Sequence, residues 1–529
     1  MDNETEKFRF NIFNKNIDYR IYIVAISSLI SLIFAHLFGI VTILKKGDNF
    51  IMKGYGHTVT SGRWGLKILE KFNEYFFTIY NLEYLNSLIA LIILSITIYY
   101  IIKIFDLRNP IFVALFTMIF YVFPTTTSTL LYSFTVVPYF IGLFLSVYAV
   151  YLIEKYKNGW VIGIFLLIFS MGIYQSYITV TISLFGIILL MKSITGEYDF
   201  KKTINRVLLY LSIFIVTIIS YILISKLFII LYNTSFTSYK GIDSMGKIDI
   251  KELPYLFVKI YKDLAKMILP KSYSIIAIPP VFPTLILKLS VVSLILLSIV
   301  FIIKYTIKNK DIVINRDKGI SIIIALLLPI PIYSQIIMTP KSYVHILMIF
   351  SIALIFIVPM LLFEKLYKTN DKIYIKLNKA LITIFSIVVI QYTYLANLNY
   401  TTLYYSTQKS TNYIQSLVVK MTEQEGFNTE LKWVFLGTAN DELIKNAGDL
   451  KDADTYMPNM NGLIFNLGYL DGSEPIDLYV GYNPTWASKR EKEELVKINE
   501  IKDMPIYPND GSIKIYGDYI IVKLNKPMK

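Results

Sequence analysis

Residues 21–44 form an apolar run of about 24 residues, and ten more apolar runs follow before residue 400. They lie at 84–105, 111–123, 135–153, 160–171, 177–191, 207–231, 284–303, 319–336, 342–363 and 380–397. About 20 apolar residues cross the hydrocarbon core of a bilayer as a helix. A water-soluble core cannot cover this many such segments, so the bilayer is the main solvent. Of the whole chain, 55% is hydrophobic and 17% charged, where soluble domains carry about a quarter charged residues. An ordinary cytosolic enzyme, a disordered chain and a fibrous chain are thereby excluded. Met1 to Arg20 is polar and mixed in charge, and the first run is too long for a signal-peptide core. The expected fold is an α-helical polytopic membrane protein with eleven crossings. Two regions strain that count. Ile111–Phe123 is short and ends at Pro124, and Trp160–Met191 has 32 residues, fewer than two full spans need.

The net charge of +14 divides unevenly along the chain. Residues 1–400 hold 38 Lys+Arg against 20 Asp+Glu, and residues 401–529 hold 14 against 18. The basic excess therefore lies among the hydrophobic segments, where it orients helices rather than binding nucleic acid. Every second connection is basic: the N-terminus, Lys103 with Arg108, Lys155 with Lys157, 192–206, 304–318 and 365–379. These carry 22 basic residues, whereas the short connections near 124–134, 171–176 and 331–341 carry one, Lys341. This asymmetry places the N-terminus in the cytoplasm. Both flanks of 160–191 are basic, so that stretch goes out and returns, with its reversal at Gly172-Ile173-Tyr174-Gln175. An irregular turn at that depth must be buried in protein or line a wet cavity.

Parity puts the 45–83 loop, the 232–283 loop and residues 401–529 outside. Residues 1–400 form a membrane-embedded domain, and 401–529 a small extracytoplasmic α/β or α+β domain. In the latter, Thr411–Gln424 carries Ile414, Leu417, Val418 and Met421 at helical spacing. Trp433–Leu436 and Ile476–Val480 read as strands, and Ser512–Tyr516 and Tyr519–Leu524 flank a Gly517-Asp518 hairpin turn. The outer loops contain two amphipathic helices. Leu66–Tyr80 aligns Leu69, Phe72, Phe76 and Ile79, and Lys251–Leu269 aligns Leu253, Leu256, Phe257, Ile260, Leu264 and Met267. Such helices lie in the interface plane or pack beneath a soluble domain.

No nucleotide-binding or hydrolase motif occurs in its required context. The chain has no cysteine and three histidines, which excludes disulfides, zinc-thiolate sites and a thiol nucleophile and argues against a His-rich metal centre. No metal site and no cofactor are indicated. The apolar segments hold few ionisable groups (His36, Lys226, Lys288, His345) and no evident midplane acid, which speaks against an ion-coupled pump. Polar groups gather instead at the outer mouth, in Lys45-Lys46-Gly47-Asp48-Asn49-Phe50, Gly54-Tyr55-Gly56-His57 and Ser61-Gly62-Arg63-Trp64. A carboxylate there can take a proton from an incoming hydroxyl, and a guanidinium can neutralise a leaving phosphate. Asp48 and Arg63 are of those types. They also read as members of a solvated loop closed by an Asp-Asn turn. Lys341 is a candidate phosphate contact or an interfacial helix-start lysine. His57 is a candidate for a sugar hydroxyl or a plain loop histidine. Gln175 sits at the reversal with Tyr174 and Tyr177 beside it.

Three of these features together resemble a known family. They are the long first outer loop with Asp48 near its start and Ser61-Gly62-Arg63-Trp64 near its end, the segment Met171-Gly172-Ile173-Tyr174-Gln175-Ser176-Tyr177 between short helices, and a soluble tail after the last span. Residues 20–400 are similar to the bacterial membrane glucosyltransferases related to the O-antigen serotype-converting enzymes. The resemblance implies the C-type glycosyltransferase architecture in the bacterial cell membrane, with the active site on the outer face. It implies a polyprenyl-phosphate sugar donor, carrying glucose, and a cell-surface glycan acceptor. On the resemblance Asp48 would be the catalytic base and Arg63 the loop-end arginine that meets the donor phosphate; from their places at the outer mouth alone, Lys341 is a second candidate phosphate contact and His57, Tyr174 and Gln175 are candidate substrate contacts. Such enzymes often carry a pair of acids in the first loop, where this chain has Asp48 followed by Asn49. Two other classes fit the same hydropathy: a flippase or polymerase of lipid-linked glycans, and a non-enzymatic anchor for residues 401–529. A polymerase usually keeps arginines in a large outer loop, and the 232–283 loop has lysines only.

Overall fold

Asp18 accepts the backbone N–H of Arg20 at 3.1 Å, capping a helix that runs Tyr19–Val41 (α1). Our computed structural model describes residues 11–12, 15–16, 18–42, 44, 53–238, 250–269, 281–308, 315–338, 344–366, 372–437 and 484–524. A short antiparallel pair, Asn11–Ile12 (β1) and Lys15–Asn16 (β2), precedes α1. After it come α2 (Trp64–Phe76), α3 (Glu83–Phe105), α4 (Pro110–Val122), α5 (Pro124–Leu130), α6 (Val136–Lys155), α7 (Gly159–Ile173), α8 (Tyr177–Ile194) and α9 (Phe200–Leu231). Then follow α10 (Leu253–Ile268), α11 (Leu285–Lys308), α12 (Asn315–Leu327), α13 (Pro329–Ile332), α14 (Gln335–Met338), α15 (Phe350–Ala353), α16 (Ile357–Leu366) and α17 (Lys372–Thr422). The chain divides into two compact units: Met1–Val41 with Ile51–Asn397, and Thr42–Phe50 with Leu398–Lys529.

Among the described residues, seven helices are long and apolar enough to cross a bilayer, or eight when α4 and α5 count as one bent span. The chain is a multi-pass membrane protein. Helix α9 shows why the bilayer suits it. Its buried residues include Thr203, Tyr210, Thr217, Tyr221 and Ser225, while Ile215, Ile219, Leu223 and Ile230 are exposed. Polar side chains turn towards protein and aliphatic ones towards solvent, which is stable only where that solvent is hydrocarbon.

The remaining apolar runs are broken rather than continuous, so the described helices do not make eleven full spans. Pro124 bends the run after α4 by 48°. Thr126 Oγ1 donates to Phe120 O at 2.8 Å, taking up a carbonyl near the break. Pro329 ends α12, and turns at Ile346–Met348 and Leu354–Phe356 interrupt the next run. Phe350, Ile352, Ala353 and Leu354 are all buried, so this irregular backbone is shielded by protein, as a bilayer requires. Helix α7 has 15 residues and rises only about 22 Å.

Polar contacts sort the connections into two sets. Arg20 pairs with Asp18 at 2.8 Å and Asp106 at 3.0 Å, Arg108 pairs with Asp106 at 2.6 Å, and Arg108 N–H donates to Glu364 at 3.3 Å. That joins three of the basic connections. Two more meet where Tyr210 donates to Glu154 at 2.6 Å beside Arg206. The other connections meet one another: Asn86 donates to Ser133 O at 3.1 Å, Thr237 N–H to Thr60 O at 2.9 Å, and Thr125 to Ile346 O at 2.9 Å. The contacts thus fall within alternate connections of the chain.

The amphipathic helices differ. On α2, Phe72, Tyr75 and Phe76 are exposed, and the Phe76 ring lies 4.7 Å from that of Phe72 and 4.8 Å from that of Tyr75, a patch suited to a headgroup boundary. On α10, Leu256, Ile260 and Met267 are buried against the first unit.

In the second unit, Lys432–Leu436 (β3) runs parallel to Tyr519–Lys523 (β5), which pairs antiparallel with Ile513–Tyr516 (β4). The hairpin at Gly517-Asp518 forms, with Gly517 at φ +55°. Alternation along the strands gives two faces. Trp433, Phe435, Ile520 and Val522 pack with Ile414, Leu417 and Met421 of the long helix. Val434, Leu436 and Ile521 pack with Leu495 and Ile501, from Lys489–Leu495 (α18) and Asn499–Lys502 (α19). The strand expected at Ile476–Val480 lies outside the described residues.

Candidate active site

The segment Ser61-Gly62-Arg63-Trp64 leads from a 3-10 turn (Val59–Ser61) into α2. Gly62 stands at φ +69°, and a Cβ there would meet Tyr221 Oη at 2.6 Å and Gln175 Nε2 at 3.1 Å. Only glycine allows that left-handed turn against two side chains. Gln175 Nε2 donates to Ser61 O at 2.7 Å and to Tyr221 Oη at 2.9 Å, and Tyr221 donates to Gly62 O at 3.0 Å. The turn's two carbonyls are thus clamped by side chains more than 100 residues away in sequence.

The clamp sets the course of Arg63. Its Nη1 donates to Tyr139 Oη at 2.9 Å. Its guanidinium lies 5.1 Å from the ring centre of Tyr174 and 5.9 Å from that of Tyr139, within cation–π range. Tyr139 and Tyr174 stack at 4.8 Å, and Tyr177 meets Tyr174 edge-on at 5.3 Å. Arg63 Nε is buried with no hydrogen-bond partner. Burial works against the charge, but Tyr139, Tyr174, Tyr221 and Tyr177 outweigh it, and the pKa stands above the ordinary arginine value. No carboxylate among the described residues pairs with Arg63. A cation held this way, with a spare N–H and no counter-ion, is complementary to an oxyanion.

Trp64 locks the two motif segments together. Its ring packs beside Phe169 and Phe228 at 5.8 and 5.6 Å. A Cβ on Gly172 would strike that ring at 2.6 Å, and one on Gly65 would come within 2.8 Å of the Gly172 carbonyl carbon. Gly65→Ala should therefore destabilise the protein by about 1–3 kcal/mol, read as a lower thermal midpoint in detergent. An unchanged midpoint would mean that the two backbones do not touch.

The sequence candidates are distributed as follows. Arg63, Tyr174 and Gln175 come together. Both hydrogens of the Gln175 amide nitrogen are committed to the turn, which gives that residue a positioning part. His57 is exposed and outside the cluster. Its loop is tied to α2 by Tyr55 N–H donating to Glu70 Oε1 at 3.3 Å, and to the segment after α2 by Gly54 N–H donating to Ile79 O at 2.9 Å. Burial, then the Glu70 carboxylate, push the Tyr55 phenol up to about 12. Asp48 and Lys341 lie outside the described residues. Tyr139 and Tyr221 were not singled out by sequence, because among 42 tyrosines nothing marks two that reach a distant loop. Among the described residues no group of three His, Asp or Glu is placed to hold a metal ion.

The family whose sequence model matches the chain is described as Glucosyl transferase GtrII, and the match covers residues 37–356. No curated protein and no solved structure matches the chain.

Proposed function

The chain belongs to the GtrII glucosyl transferase family, and from that premise we propose that it moves glucose from a polyprenyl-phosphate donor to a cell-surface glycan on the outer face of the membrane. Membership makes it a membrane glucosyltransferase. The donor, the sidedness and the roles below are our reading. One observation carries it: Arg63 is a partly buried guanidinium in a tyrosine cage, with a buried, unpartnered Nε and no described acidic partner. A lipid phosphate at the membrane surface is the counter-ion such a cage suits.

In the proposed reaction an acceptor hydroxyl attacks the anomeric carbon opposite the phosphate. The new C–O bond forms as the bond from that carbon to the phosphate oxygen breaks, so configuration inverts. Asp48 takes the hydroxyl proton. The bond's electrons leave with the polyprenyl phosphate, whose added negative charge falls to Arg63, with Lys341 as a second cation. Tyr174 serves the donor through the cage in which it holds the Arg63 guanidinium, Gln175 holds the Arg63 turn in place, and His57 is a sugar-hydroxyl contact from the loop. With the basic connections in the cytoplasm, the N-terminus lies inside and residues 401–529 outside, where nucleotide sugars are absent and a lipid carrier is required. Eleven crossings, counting the broken segments, and the C-type architecture belong to the same reading.

The test is transfer of labelled glucose in proteoliposomes. Glucose on polyprenyl phosphate should be transferred to a surface-glycan acceptor, and a nucleotide-linked glucose should not. Transfer from the nucleotide donor alone would overturn the proposal.

A further inference from the structure

Helix α6 carries tyrosines near both ends. Tyr139, close to its start, belongs to the Arg63 cage. Twelve residues on, about 18 Å along the axis, Tyr151 belongs to a second cage, built around Lys103 of α3. The Lys103 ammonium lies 5.4 Å from the ring centre of Tyr99, 5.9 Å from that of Tyr100 and 5.3 Å from that of Tyr151. Tyr148 meets Tyr100 edge-on at 4.9 Å and stacks on Tyr151 at 5.9 Å. Aromatic faces attract an ammonium but do not neutralise it.

Two acids stand nearby, and arginines take both. Asp106, three residues beyond Lys103, pairs with Arg20 and Arg108 at 3.0 and 2.6 Å. Asp18, which accepts from Tyr99 at 3.2 Å, pairs with Arg20 at 2.8 Å. Among the described residues no ion pair includes Lys103. The approach to this cation is apolar. Leu85, Ile89, Ile92 and Ile96 of α3 are exposed, and they follow one another at three- and four-residue spacing, so they form one stripe. Tyr100 and Lys103 continue it. From Ile92 to Lys103 is about 16 Å, close to half of the roughly 30 Å hydrocarbon core. The stripe and the cation therefore have the dimensions of one lipid in one leaflet. A phosphate at its end meets an ammonium that no carboxylate already holds.

We propose that Lys103 and its tyrosines bind the headgroup phosphate of an anionic glycerophospholipid, whose acyl chain lies along Ile92 and Ile96. The site stands at the end of α3 that leads into a basic connection, apart from the arginine cage, and it does not depend on the donor assigned above.

Two measurements on the full chain test it. In mixed micelles holding phosphatidylglycerol and phosphatidylcholine with identical acyl chains, bound lipid is counted by native mass spectrometry. The unaltered protein should retain phosphatidylglycerol preferentially. Lys103→Gln should lower that preference about fivefold, the scale for one basic side chain at an anionic membrane surface. Lys226→Gln, at a lysine of α9, should leave it unchanged. Equal retention of both lipids by the unaltered protein, an unchanged preference in folded Lys103→Gln, or the same loss in both variants overturns the assignment. The second measurement uses the unaltered protein in nanodiscs and a photoreactive phosphatidylglycerol. Label should fall between Ile92 and Lys103, and unlabelled phosphatidylglycerol should displace it where the same concentration of glycerol phosphate does not. Displacement by glycerol phosphate would make this a site for free phosphate esters. Label spread evenly over the spans would leave Lys103 a lysine that merely reaches the interface. Either result overturns the proposal.

Discussion

Arg63→Met should lower kcat for glucose transfer by about 10²–10³-fold, the scale set by removing one preorganised charge-stabilising donor. The effect belongs mainly in kcat. A phosphodiester donor carries one negative charge and the departing phosphomonoester gains a second, so a fixed cation stabilises the transition state more than the bound donor. Methionine keeps much of the side chain's volume and leaves the Ser61-Gly62 turn clamped, because Gln175 and Tyr221 bind its carbonyls rather than the guanidinium. Arg63→Lys should recover part of the loss, since it restores the charge but not the planar fork that spans two tyrosine faces. Activity within about threefold of the unaltered protein in a folded Arg63→Met variant would assign the phosphate to another cation, with Lys341 the next to test.

How far the sequence reached can be judged from particular residues. The helix limits at Glu83–Phe105, Val136–Lys155 and Tyr177–Ile194 fall close to the apolar runs, because in a bilayer hydropathy acts on every residue of a span. It was less informative where the backbone ladder is interrupted. Pro124 and Pro329 leave the composition apolar while breaking i→i−4 hydrogen bonds. The reversal at Tyr174-Gln175-Ser176 was legible because two short runs had to fit between basic flanks. That Gln175 would hold Ser61, or that Gly172 would lie against Trp64, was not. Those contacts depend on glycines whose missing Cβ atoms let two segments touch, and sequence spacing carries no sign of which segments meet. The arginine could be picked out as a type; its cage could not, since Tyr139 and Tyr221 come from two helices that hydropathy treats as uniform. In the second unit, the unbroken apolar run 519–522 matched a strand with two covered faces, and a Gly-Asp turn specified the hairpin.

Asp48→Asn should abolish transfer, by about 10²–10⁴-fold, the range for loss of a positioned general base. The amide has nearly the same shape and cannot accept the acceptor's proton at neutral pH. The loss should therefore appear in kcat, with the variant still inserted and the donor still bound. Wild-type transfer by this variant would remove Asp48 from the chemistry and direct attention to another acid of the outer loops. The role also requires that Asp48 face the side where the lipid-linked sugar is consumed, and the chain offers a direct check because it has no cysteine. Asn49→Cys creates a single thiol beside the proposed base. A membrane-impermeant maleimide should label it in intact cells, and polyprenyl phosphate should slow that labelling by crowding the same loop. Labelling only after permeabilisation would put the carboxylate on the cytoplasmic side. The positive-inside alternation would then have to be inverted as a whole, because the contacts of Arg20, Arg108 and Glu364 tie three of its connections into one set.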